Sequence, residues 1–252
     1  MSQQEYYNSN NIEKMCEEAI KKVPGRFFYC YPSEKDKSES YLVNYRSRTT
    51  DNGMYCTEIA AKYVIEHFDE FIEQIPKITR KNTYKTESHT GGKSGFESER
   101  KVAQKLFEQC KDGSSFDFIG KIIDYETPLQ NTNQDTGFGN IDLLSVNEKD
   151  KTVYILELKK NGSTETLLRC VLEGFTYSMI VNQTKLLNDF GYSGYNIRVA
   201  PLVFEGKDQW KEYKEMKEGN RPYLMKLMEK LNIRPFFLVG PSEDGKYMVT
   251  DK

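Results

Sequence analysis

The sequence predicts an α/β fold, a mixed central β-sheet flanked by helices, preceded by an N-terminal α+β extension. Three observations predict it. Beyond residue 91 the apolar spacing reads in the order helix, three strands, helix, strand. The segment from Val153 to Lys159 reads as a strand of period two, with Glu157 and Lys159 on the face that also holds Val153 and Ile155. A polar, glycine-bearing stretch over residues 76–95 separates this regular part from a mixed first part.

The elements follow in chain order. Residues 11–23 have helical spacing, ended by Pro24-Gly25. Residues 26–31 are aromatic and extended, and 41–45 read as a second strand. A long helix is expected over 57–75, because Ile59, Ala60, Tyr63, Val64, Phe68, Phe71 and Ile72 form one stripe, which reads as core packing. Within 76–95, Gly92-Lys93-Ser94 resembles part of a phosphate loop. Position 87 is Glu where that motif needs Gly, and no apolar strand precedes it, so a Walker motif is rejected. The predicted organisation is therefore an extension over 1–90 and a domain over 91–252. In the second part a helix is expected over 96–110 and strands over 116–125, 141–146 and 153–158. A helix over 164–188, a strand over 195–204 and helices over 208–217 and 222–231 follow. Strands at 235–239 and 247–249 would close a hairpin around Glu243-Asp244-Gly245.

Composition narrows the function classes. No apolar run approaches the length of a membrane span, and the first residues lack both a basic start and an apolar stretch, so a cytoplasmic protein is expected. The five cysteines are scattered, with no CxxC pair and only two histidines, which argues against a zinc site or a disulfide framework. Any metal would be held by carboxylates, hence a hard cation such as Mg2+ or Mn2+. The net charge of −2 does not mark a nucleic-acid binder, but residues 77–111 carry nine Lys or Arg against four acids, enough for local phosphate contacts.

The chemistry concentrates around two strands. Alternation puts Val153, Ile155, Glu157 and Lys159 on one face and Tyr154, Leu156 and Leu158 on the other. Charge on a face shared with Val and Ile needs a partner or a function. Asp142 likewise lies inside the apolar run Ile141, Leu143, Leu144, where it is costly unless paired or metal-bound. If the two strands form a hairpin around residues 147–151, Asp142 and Glu157 fall nearly opposite one another. A divalent cation would relieve their repulsion, with Lys159 placed to orient or deprotonate water or to stabilise charge on phosphorus. A salt bridge at a strand end plus an Asp at a turn is the structural alternative. On the helix over 96–110, Phe96, Glu99, Val102, Ala103, Leu106 and Cys110 share one side, whereas Glu97 falls with Lys101, Gln104 and Glu108 towards solvent.

Asp142 with Glu157-Leu158-Lys159 resembles the PD-(D/E)XK, or restriction-endonuclease-like, nuclease superfamily. The likeness covers roughly residues 91–204, and Ile141 stands where the name has its P. It implies a restriction-endonuclease-like core and a metal-dependent nuclease, in the first instance on DNA. The implied metal set is Asp142, Glu157 and Leu158, with a glutamate from the first helix, for which spacing prefers Glu99 over Glu97. Residues 93–100 are also similar to the Gly-x-x-x-Glu-Arg start of archaeal Holliday-junction resolvases, in support of Glu99. Catalytic roles would fall to Asp142, Glu157, Lys159 and Glu99. Nucleic-acid contacts are expected from Lys93, Arg100, Lys160, Arg169 and Tyr177. Of these, Arg169 and Tyr177 share a helix face with Glu173, which makes an intrahelical Arg–Glu pair an equal reading. An open cleft around Asp142 is expected. The alternative functions are a non-cleaving nucleic-acid-binding or partner-binding module on the same fold. The extension, with Phe27, Phe28, Tyr29 and Tyr31, could recognise substrate, support a homodimer, or pack against the core.

Overall fold

A computed structural model describes residues 12–14, 16, 17, 49, 50, 52–78, 80–86, 98–131 and 139–252. The expected strands over 26–31 and 41–45 and most of the helix over 11–23 lie outside them, although residues 12–14, 16 and 17 are helical. The elements are α1 (Cys56–Glu66), α2 (Phe68–Gln74), α3 (Glu99–Gln109), β1 (Lys121–Pro128), β2 (Asn140–Asn147), β3 (Thr152–Leu158), α4 (Leu167–Ile180), α5 (Gln183–Phe190), β4 (Asn196–Phe204), α6 (Asp208–Lys217), α7 (Pro222–Lys230), β5 (Phe236–Val239) and β6 (Met248–Thr250).

The strands form one six-stranded mixed sheet in the order β1-β2-β3-β4-β5-β6. β1, β2 and β3 pair antiparallel, joined between β2 and β3 by the expected tight turn. β4 then pairs parallel to β3, which requires the crossover that α4 and α5 supply. β5 is parallel to β4, and β6 closes antiparallel as the expected hairpin. All seven residues of β3 are buried, as a central strand covered on both faces demands.

Alternation along β3 assigns those faces. Val153 and Ile155 join Leu144, Val199 and the α4 residues Leu168, Val171 and Leu172 in one apolar cluster. Tyr154, Leu156 and Leu158 join Leu143 and the α3 residues Val102, Ala103 and Leu106 in another. The sheet is thus a middle layer with α3 on one side and α4 on the other. Residues of the first ninety share the α4-side cluster. Ile59, Ala60, Val64 and Phe71 pack there with Leu224 and Leu227 of α7.

Several boundaries differ from expectation. The helix expected over 57–75 breaks at His67, whose ring stacks on Tyr63 and bonds Glu70 at 3.0 Å. The helix expected over 164–188 breaks because Asn182 caps a new helix, its side chain accepting from the Lys185 N–H. The strand expected over 116–125 begins only at Lys121, after a turn in which Phe116 bridges Gly120, and runs on to Pro128. In α4, Leu168, Val171 and Leu172 are buried, whereas Phe175 is half-buried and Met179 is exposed.

Candidate functional site

The register places the two motif carboxylates together. Leu143 pairs with Leu156, so one more step along the antiparallel ladder sets Asp142 opposite Glu157. Both lie on the α4 face. Asp142 Oδ2 also accepts a 2.8 Å hydrogen bond from the Leu158 N–H, which fixes this carboxylate against the end of β3.

α4 descends unusually close at this point because residue 174 is Gly. A Cβ there would lie 2.8 Å from Val199 Cγ1 and 3.5 Å from Glu157 Cβ. The helix is capped by Thr166, whose side chain accepts from the Arg169 N–H. From it Glu173 reaches into the site. The Tyr177 hydroxyl donates to Glu173 Oε1 at 3.1 Å, and Arg169 Nε lies 3.5 Å from Glu173 Oε2. Tyr177 is buried, and its hydroxyl is committed to this carboxylate rather than turned to solvent. Gly139, at the entry to β2, passes so near that a Cβ there would sit 2.3 Å from the Tyr177 hydroxyl oxygen.

Lys159 lies at the centre. Its Nζ is 2.6 Å from Glu157 Oε1, 2.8 Å from Glu165 Oε2 and 3.4 Å from Glu173 Oε2. Glu165 also pairs with Arg169 at 3.1 Å. The expected open cleft is not found. Glu157 and Lys159 are 2% and 4% exposed, closed over by α4 and the segment leading into it. The reason is electrostatic as well as steric, since a buried ammonium is tolerable only when carboxylates enclose it.

The protonation equilibria follow from this crowding. Burial raises Asp142, Lys159 lowers it, and Glu173 and Glu99 raise it again, leaving its carboxyl at about 8. Burial together with the Asp142 and Glu173 charges pushes Glu157 well above the carboxylate range. Burial alone would lower Lys159, but Glu157 and Glu173 outweigh it and hold the ammonium well above its ordinary value. Glu173 is the opposite case, with burial outweighed by Lys159 and Arg169, so it stays ionised below the usual range.

Glu99 opens α3, whose N-cap Ser98 accepts from the Lys101 N–H. It comes to the same strand end, accepting a 3.4 Å hydrogen bond from the Lys160 N–H. Its rival Glu97 lies outside the described residues, as does Lys93. The Lys160 side chain is exposed. Arg100 is half-buried, and its charge acts on Tyr125 of β1. The structure therefore brings together Asp142, Glu157, Leu158, Lys159, Glu99, Arg169 and Tyr177. Sequence reasoning missed Glu165. Stepping the four-residue spacing of Arg169, Glu173 and Tyr177 back once reaches it.

Whether these residues fit a divalent cation can be judged from their oxygens. Glu157 Oε2 is buried with no hydrogen-bond partner, a costly state that a cation would relieve. Two cations, Lys159 and Arg169, already face the carboxyls of Asp142, Glu157, Glu165 and Glu173, and a further cation would have to displace the protons that burial keeps on Asp142 and Glu157. Among the described residues, however, no three His, Cys, Asp or Glu side chains are arranged to hold a metal ion. Lys159 occupies the point where the glutamates converge. Asp142, Glu157 and Glu99 thus meet at one strand end without forming such a group in this arrangement.

No protein-family model, curated protein or solved structure matches this chain. Among the described residues no helix is long and apolar enough to cross a membrane.

Proposed function

We propose that this chain is a metal-dependent nuclease with a restriction-endonuclease-like core, hydrolysing phosphodiester bonds, in the first instance in DNA. The observation that carries the reading is the opposition of Asp142 and Glu157 across β2 and β3, with Lys159 beside them and one Glu157 oxygen unpartnered. The order α3, three antiparallel strands, α4 and a parallel β4 supports the same reading.

Asp142, Glu157, Glu99 and the Leu158 main chain would hold Mg2+ or Mn2+. When bound, such an ion supplies charge for a phosphate oxygen and acidifies water. Glu157 and Asp142 must lose their protons for this, which their raised equilibria oppose until a cation is present. Lys159 remains an ammonium, so its role is to stabilise charge on the phosphoryl oxygens rather than to act as a base. Glu173 and Glu165 hold it in position. Lys160, Arg169 and Arg100, with Lys93, would contact the phosphate backbone.

The test is incubation with plasmid, linear and single-stranded DNA in Mg2+ or Mn2+. Glu157→Gln should lower cleavage on the order of a hundredfold or more while melting as wild type does. Equal trace activity in both proteins sinks the reading.

A second reading has its own observation. The Lys159 ammonium is enclosed by three glutamates and nearly inaccessible, which is what a structural ion-pair centre would look like. A non-cleaving nucleic-acid-binding or partner-binding module would then use the same fold. A gel shift without cleavage under any metal favours it.

A further inference from the structure

At the end of the sheet where β3 and β4 begin there is a cavity with a volume of about 320 Å3. It lies between the start of β4, the end of α7 and the turn that leads into β5, toward the opposite end of β3 from the Glu157–Lys159 cluster. Its size is within the range of about 300–1,000 Å3 usual for small-ligand pockets. One wall is apolar, made by Val199, Met228 and Ile233. The rim carries two guanidinium groups, Arg198 and Arg234, with Asn232 beside them.

Neither arginine has an ion-pair or hydrogen-bond partner among the described residues. Glu229 also lines the cavity and forms no ion pair with either. Two guanidiniums against one carboxylate leave the rim positive. Guanidinium forks match phosphate oxygens in shape as well as charge. Tyr154, which is buried in the sheet, lines the floor.

An aromatic cluster adjoins the cavity. The Arg234 guanidinium lies over the Phe236 ring at 5.3 Å, and Tyr154 meets the same ring edge-on at 5.5 Å. Phe118 stacks on the same ring at 6.3 Å and is 40% exposed. Phe118 has a φ of +65°, a strained conformation for a bulky residue, and the Asn147 side chain holds it by donating to its carbonyl at 2.8 Å. Phe118 is thus an exposed ring in a strained backbone, linked to the Arg234 guanidinium through the shared Phe236 ring at the same end of the sheet, and an aromatic ring with guanidiniums nearby suits a base and its phosphate.

We propose that this cavity and the Phe118 ring form a second site, for a phosphate-bearing ligand of nucleotide type. The ligand is either a free nucleotide or a nucleotide of a strand, and the site does not depend on the nuclease reading. The test is calorimetric titration with adenosine 5′-monophosphate, adenosine, and a ten-residue oligodeoxynucleotide without added metal. The monophosphate or the oligonucleotide should bind, and adenosine should bind at least tenfold more weakly. The tighter of the two phosphate probes identifies the source. R198A/R234A should weaken binding at least tenfold and Phe118→Ala several-fold. All three substituted side chains are exposed, and melting curves check that the fold is kept. No binding of either phosphate probe, binding indifferent to the arginine pair, or binding indifferent to Phe118 would overturn the proposal.

Discussion

Asp142 is one carboxyl on an apolar strand, and its surroundings set its chemistry. Its folded-state equilibrium near 8 lies far above the ordinary aspartate value of about 3.9. Between those values the unfolded chain has lost the proton and the folded chain still holds it. Folding stability therefore falls as pH rises through that window, and the loss is complete above about 8. Asp142→Asn should flatten this part of the pH dependence, which urea titrations at pH 5, 6.5 and 8 would measure. Added Mg2+ should flatten it too in the wild-type protein if Asp142 holds the ion, since binding favours the ionised form. An unchanged slope in the variant contradicts the placement of Asp142 beside the buried Glu157 and Lys159. The pairing of Asp142 with Glu157 was legible at this scale, because strand alternation and the length of the turn fix which residues face each other. The enclosure of Lys159 by Glu165 and Glu173 was not, since those glutamates come from a segment whose approach to the sheet depends on packing.

Among the elements, α4 decides how the site is closed. It carries Glu173, Tyr177 and Arg169, and Gly174 lets it settle onto Glu157 and Val199. Gly139 on the β2 side meets the same helix through the Tyr177 hydroxyl. Gly139→Ala is expected to destabilise the fold by about 1–3 kcal/mol through overpacking. Tyr177→Phe removes the oxygen that a new Cβ would strike, so the double variant should lose less than the sum of the single losses. A double-mutant cycle by chemical denaturation measures this, and strict additivity would refute the contact. The helical stripes predicted that these helices exist. They did not predict the breaks at His67 and Asn182, because apolar spacing continues through both while His67 leaves helical backbone angles and Asn182 caps a new helix.

At the scale of the molecule, the part before residue 90 is tied to the sheet-bearing part by specific polar bonds as well as by shared core. Glu58 accepts from the Tyr223 and Leu224 N–H groups at 2.7 and 2.9 Å, satisfying the start of α7 from a distant helix. Asp189 accepts from the Tyr84 N–H, and the Tyr84 hydroxyl accepts from the Asn182 N–H. Asp124 of β1 accepts from Thr86. Of the roles open to the extension, packing against the core is the one these contacts show for residues 56–86. A chain beginning at residue 91 would leave Leu224, Leu227 and the α7 N-terminus uncovered. It should lose its cooperative melting transition and bind an apolar dye. A sharp transition at the wild-type temperature would disprove that dependence.

The amino-acid sequence by itself determined the sheet-and-helix architecture, the two faces of β3, and the meeting of Asp142 with Glu157 and Lys159. Those follow from local periodicity and from short turns, which residues near in sequence control. Tertiary structure alone decided that the cluster is closed rather than open, that Glu165 and Glu173 share its lysine, and that the segment over 56–86 completes the core. It also brought Arg198, Arg234 and Phe118 to one end of the sheet. These depend on how closely distant helices approach, which is set by the volume of residues such as Gly174 and Gly139 and by buried charges seeking partners, and no local spacing records it.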